Sequence, residues 1–190
     1  MTTIKSDIGA KAAWKGFSSQ TKYIAYRLLL LEDKYDFYPE NVEDLMIKEQ
    51  EKIVELVQIK NLSGNLSLSS FSPQNNDSFF RRALSKRQDN GDIVLRVVSF
   101  GPIGEELQGL IDNTPNHVTS VKRKLEGYRY TLDEVNWLIS HLSITKVEEN
   151  GIEGQIFSVL EARIETMAAP QIIFDIRSEE HTSELQSPNT

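Results

Sequence analysis

Residues 42–61 read VEDLMIKEQEKIVELVQIKN. Val42 to Lys48 and Ile53 to Asn61 are short apolar runs of the kind that form strands, and the polar stretch Lys48-Glu49-Gln50-Glu51-Lys52 between them suits a hairpin turn. Side chains two apart on a strand point the same way. Gln58 and Lys60 therefore share a face with Val54 and Leu56, while Val57 and Ile59 take the other. This strand is expected to be buried on both faces until its C-terminal end, where it turns polar. Reaction centres of open α/β sheets sit at such ends.

Upstream, Ala10 to Leu31 predicts an amphipathic helix with Trp14, Phe17, Ile24, Leu28 and Leu31 at three- and four-residue steps and Gly16 as its weak link. Tyr35 to Pro39 predicts a short strand. Downstream, Ser63 to Asp77 is rich in Ser, Asn and Gly and predicts a loop anchored by Leu66, Leu68 and Phe71. Ser78 to Gln88 predicts a helix with Phe79, Phe80 and Leu84 inward. Asp89 to Asp92 predicts a turn, Ile93 to Phe100 a buried strand, and Ile103 to Ile111 a helix. Phe100-Gly101-Pro102-Ile103-Gly104 lacks the spacing of a phosphate-binding loop and reads as a tight turn.

The remainder reads as mainly helical. Thr114-Pro115 is an N-cap followed by proline. Thr131 and Glu134 form a capping box ahead of Val135, Leu138 and Leu142. Asn150-Gly151 predicts a turn and Ile152 to Ala168 a last helix. The expectation is an α/β fold: a central mixed sheet flanked by helices over residues 1–112, and a helical extension over 113–176 that completes or follows it.

Composition narrows the chemistry. The chain has 190 residues, 39% hydrophobic and 26% charged, which suits a globular protein. It has no cysteine, so disulfides and cysteine-ligated zinc are excluded. No apolar run approaches a bilayer-spanning length, and the first ten residues lack a signal core; the expected setting is cytoplasmic. The net charge of -7 argues mildly against DNA binding by bulk electrostatics but not against a local phosphate site. Residues 177–187, RSEEHTSELQS, resemble a translated sequencing adapter, and residues 177–190 are set aside as a non-native tail. The natural chain is then expected to be longer.

Hydrolysing a phosphodiester calls for a water nucleophile and for positive charge against the phosphate. Mg2+ can meet both needs with oxygen ligands. Asp44 can offer a carboxylate and Gln58 an amide oxygen, while Lys60 can hold the attacking water or the scissile phosphate. Arg81, Arg82, Lys86 and Arg87 form a basic cluster on one helix, either a solvated face or a phosphate contact. On the first helix, Tyr23 reads as a core residue and Arg27 as solvated. His117 and His141 read as surface or packing residues, and no GxSxG elbow is present.

At Asp44…Gln58-x-Lys60 the chain resembles the QxK variant of the PD-(D/E)xK nuclease superfamily, as in Mrr-like restriction enzymes. More widely it resembles the double-stranded DNA endonuclease domain at the N-terminus of bacterial anti-phage defence effectors. The resemblance is carried by Ala13 to Phe17 with Gln20, Pro39 to Asp44, Val57 to Asn61 and Ser99 to Gly101, and covers roughly the first 110 residues. It implies a catalytic set of Asp44, Gln58, Lys60, Gln20 and Glu43. It also implies Mg2+ or Mn2+ on Asp44 and Gln58, and DNA contacts by Lys60, Asn61, Arg81, Arg82 and Lys86. It further implies double-stranded DNA as partner, a following ATPase or sensor module, and compatibility with a homo-oligomer. Two departures stand out: Gln20 occupies the place of a first-helix acid, and Gln58 replaces the acid of the third motif. Glu40 and Glu43 are candidate helpers. The alternative is a non-catalytic module of the same fold that binds nucleic acid or a protein.

Overall fold

A computed structural model describes residues 3–39, 43–71, 73–90 and 92–167, with side chains from 16 to 163. Glu40, Asn41, Val42, the Trp14 side chain and the 177–190 tail lie outside these. The elements are α1 (Thr3–Leu30), β1 (Tyr35–Pro39), β2 (Leu45–Glu49), β3 (Lys52–Lys60), α2 (Phe79–Asn90), β4 (Val94–Ser99), α3 (Glu105–Ile111), α4 (Pro115–Gly127), α5 (Leu132–His141), β5 (Leu142–Lys146) and α6 (Glu149–Met167).

The five strands form one mixed sheet in chain order, β1-β2-β3-β4-β5. β1, β2 and β3 run antiparallel, with Leu45 opposite Val57. β3, β4 and β5 run parallel, with Gln58 opposite Val97 and Lys60 opposite Ser99. The sheet is thus the expected mixed α/β architecture. The β2–β3 turn holds both Gln50 (φ 50°) and Glu51 (φ 69°) in the left-handed region, which a two-residue hairpin needs in order to match strand twist.

Each sheet face has its own core. On one, Phe79, Phe80 and Ala83 of α2, Leu107 of α3, Val121 and Leu125 of α4 and Leu138 of α5 pack on Met46, Leu56, Leu95 and Val97. Each large side chain removed from water there contributes roughly 1.5–3 kcal/mol. On the other, Tyr23 of α1 and Ile152 of α6 pack on Leu45, Ile47, Val57, Ile59 and Val98. Leu66, Leu68 and Phe71 are buried as anchors of the 63–77 loop. The loop meets the 101–104 turn through Leu66 N–H to Pro102 O and Gly104 N–H to Leu66 O. A Cβ on Gly101 would stand 2.7 Å from Leu62 O and one on Gly104 2.8 Å from Leu66 O, so only glycine permits that approach.

Several elements differ from the sequence reading. Residues 142–146, read as part of a helical extension, form the strand β5: α5 passes into it at His141 with no intervening turn, so no turn residue announces the change. Asn90 belongs to α2 rather than a turn, and its Oδ1 accepts the Ile53 amide. Asn150-Gly151 lies inside the first turn of α6. On α1 the predicted apolar stripe is buried only in part: Ile24 and Leu31 pack against the core. Phe17 (54%) and Leu28 (57%) are exposed, while Ser19 and Tyr23 are buried. The Thr131–Glu134 capping box forms as read, and among the described residues no helix is long and apolar enough to cross a membrane.

Candidate active site and a second charged cluster

β2 begins at Leu45, opposite Val57, while β3 runs on to Lys60. Beyond Leu45, Asp44 reaches the β3 edge with its side chain. Asp44 Oδ2 accepts the Ile59 amide at 2.5 Å and Gln58 Nε2 at 2.7 Å. Its Oδ1 accepts Gln20 Nε2 of α1 at 3.3 Å. All three donors are neutral, so the carboxylate is oriented without being neutralised. Beside it, Asn61 Nδ2 donates to Ser19 Oγ at 2.5 Å, tying the end of β3 to α1.

Because Gln58 turns its Nε2 to Asp44, its Oε1 is the atom left to act as a ligand. Among the described residues, the sole buried side-chain polar atom with no hydrogen bond is His117 Nδ1. Among the described residues neither Gln58 Oε1 nor Lys60 Nζ has a hydrogen-bond partner, and neither is sealed from solvent. Lys60 stands two residues beyond Gln58 on the same strand face.

Glu43, next in sequence to Asp44, has the opposite surroundings. Its carboxylate is buried and takes two hydrogen bonds from Arg82 of α2, Nε to Oε1 at 2.6 Å and Nη2 to Oε2 at 2.9 Å. Burial pushes the Glu43 carboxyl above its ordinary value, against the pull of Arg82; the neighbouring Asp44 adds to the rise and the Lys60 ammonium opposes it. Both effects on Glu43 place Asp44 and Lys60 near it. Both Glu43 oxygens are occupied, so the helper expected from sequence serves instead as an anchor for α2.

The basic cluster on α2 disperses. Arg82 also reaches Asp77 at 3.0 Å. Arg81 stacks over the Tyr130 ring at 3.9 Å and donates to Tyr128 O. Arg87 pairs with Asp133 at 2.6 Å and lies over Trp137. Lys86 is half-buried on the same helix. His117 packs against Gly109, where a Cβ would meet its ring at 2.2 Å, and His141 stacks on Trp137; both are packing residues.

Sequence reasoning missed a second cluster on the opposite face. Glu55, mid-strand in β3, accepts Arg27 Nη1 at 3.0 Å and Arg27 Nη2 at 2.6 Å, and it also accepts Arg96 Nε of β4. Tyr23 OH accepts a further bond from Arg27. Burial alone would raise the Glu55 carboxyl, but the Arg27 and Arg96 guanidinium groups outweigh it and hold the carboxyl below its ordinary value. Arg27, read as solvated, is therefore an internal ion-pair residue. The available signal was a glutamate at the centre of a strand otherwise apolar on both faces.

Among the described residues no group of three or more His, Cys, Asp or Glu side chains is placed to hold a metal. The oxygens on offer are Asp44 Oδ1 and Gln58 Oε1. That donor set fits Mg2+, which takes one or two protein ligands and keeps several waters. It does not supply the three or four protein ligands, usually with histidine or cysteine among them, that zinc sites use.

No protein-family model matches the chain, and no curated protein matches it. A solved structure, the Acinetobacter baumannii Cap4 SAVED/CARF-domain containing receptor with the cyclic trinucleotide 3'3'3'-cAAA, is similar over 79% of this chain and 36% of that chain, at 15% identity and a TM-score of 0.48. The chain spans about a third of the length of that receptor.

Proposed function

We propose that this chain is a Mg2+- or Mn2+-dependent endonuclease domain that hydrolyses phosphodiester bonds of double-stranded DNA. We place it as the effector part of a larger anti-phage defence protein, followed there by an ATPase or sensor module. The observation that carries the reading is the Asp44 carboxylate, held by neutral donors beside Gln58 and Lys60 where β2 stops and β3 continues. A carboxylate positioned without a compensating cation retains its full attraction for one.

Asp44 Oδ1 and Gln58 Oε1 would hold the ion. When bound, it supplies a water of lowered pKa and offsets charge building on the phosphate. Gln58 and the Ile59 amide fix the Asp44 carboxylate plane, so no rotation is needed when phosphate arrives. Lys60 can donate to the attacking water or to a non-bridging phosphate oxygen. Gln20 orients the Asp44 oxygen that faces the ion. Arg82 keeps Glu43 from competing for it.

The test is cleavage of supercoiled plasmid with Mg2+ by the wild type, Asp44→Ala and Lys60→Ala. Cutting by the wild type alone supports the reading; equal cutting by all three overturns it. Mn2+ binding followed by electron paramagnetic resonance separates metal capture from turnover: Asp44→Asn is expected to lose the bound signal, and Lys60→Ala to keep it.

A further inference from the structure

We propose that the cavity between α1, β4, β5 and α6 is a binding site for a small organic phosphate of nucleotide size, gripped by Arg96 with Lys146. The inference does not depend on the nuclease reading, because it concerns the opposite face of the sheet. The cavity measures about 560 Å3, and its lining includes Tyr26, Arg27, Arg96, Lys146, Ile152 and Gln155.

The first argument is charge. Two arginines share the single Glu55 carboxylate, and the side chains of Arg27, Glu55 and Arg96 are only 15%, 10% and 28% exposed. One positive charge is left over, on a cluster set into the cavity wall. The lining glutamate, Glu148, does not cancel it, because Glu148 pairs with Lys146 at 2.8 Å. Both members of that pair are mostly exposed, 75% and 53%, so it can exchange partners at little cost.

The second argument is geometry. Arg96 spends its Nε on Glu55, and among the described residues its two terminal nitrogens have no hydrogen-bond partner. Neither is sealed from solvent, since His117 Nδ1 is the sole sealed orphan among the described side chains. A guanidinium edge open on a cavity matches two oxygens of a phosphate or carboxylate. The third argument is size. A bare phosphate would leave most of 560 Å3 unfilled, whereas cavities of roughly 300–1,000 Å3 suit whole small molecules. Tyr26, Leu30 and Ile152 supply an apolar wall for the ligand body.

The test is calorimetric titration of the whole chain with AMP, inorganic phosphate and adenosine. AMP is expected to bind saturably, phosphate more weakly, and adenosine not at all. Arg96→Gln should weaken AMP binding about tenfold or more, the loss of one charge-assisted pair. Glu55 keeps Arg27 in that variant, and the exposed Lys146→Ala, which removes nothing buried, should also weaken AMP. Absence of saturable binding by AMP and phosphate would overturn the proposal. So would affinities unchanged in both variants, or displacement of AMP by duplex DNA, which would make this a backbone contact rather than a small-ligand site.

Discussion

Asp44 and Glu55 are two carboxylates fixed by α1 and β3 in opposite ways. Asp44 is held by two side-chain amides and a main-chain N–H, none of them charged. Glu55 is held by two guanidinium groups, on the other face of the same sheet. Neutral donors orient a negative charge and leave it intact, which is what the proposed cation site requires. Paired arginines overcompensate the charge, so the second is ready for an anion. The two acids thus differ in the charge of their donors and not in their number, each accepting three hydrogen bonds.

The largest expected effect that would break this contrast is on activity. Asp44→Asn keeps the shape but removes the charge, and cleavage should fall by about 100-fold or more, read as the initial rate of plasmid nicking. It should also cost stability, roughly 1.5–3 kcal/mol, because three N–H donors lose a charged acceptor and one accepting oxygen becomes a donor. Next comes Glu55→Gln, which leaves two arginines facing each other. It should cost roughly 3–5 kcal/mol, or about 10 °C in melting temperature for a chain of this size, read by urea and thermal unfolding. A Glu55→Gln chain as stable as the wild type would show that the ion cluster holds nothing together.

The pH dependence sharpens the same point. Glu55 titrates below its ordinary value when folded, so its contribution is complete above the ordinary glutamate range and is lost as pH falls through the lowered value. The melting gap between the wild type and Glu55→Gln should therefore be constant near neutrality and shrink in acid. Glu43 has the reverse sign: it is raised by burial, so charging it costs stability as pH rises through that raised value. Removing its partner with Arg82→Met should raise it further, and the resulting loss in urea midpoint should be larger at neutral than at acidic pH. The smallest expected effect is Arg87→Ala, whose Asp133 partner is 77% exposed; its unfolding curve should overlay the wild type.

How much of this could be read in advance depended on what each residue's neighbours in sequence reveal. β1, β3 and β4 are apolar runs bounded by polar turns, and they stand close to where the sequence placed them. β5 was hidden because His141 and Leu142 join helix to strand directly, with the helix pattern running into the strand. Asp44, Gln58 and Lys60 were legible because a strand fixes the face of residues two apart and the hairpin brings its arms together. The neutral character of the Asp44 donors was legible only in part: Gln20 was flagged, whereas the Ile59 amide is main chain and has no sequence signature. The Arg27–Glu55–Arg96 cluster was invisible for a different reason. Its members are 28 and 41 residues apart, and only the packing of α1 across β3 and β4 brings them into contact.

The order of the strands has one more consequence. Every strand pairs with its immediate predecessor in the chain, so none has to be inserted between two that are already joined. The sheet can therefore grow at one edge in the order in which a ribosome delivers it. Among the described residues β5 comes last, and no strand of this sheet pairs with its outer side. A chain halted after β4 would leave the parallel edge of β4 bare, a surface that invites pairing between nascent molecules.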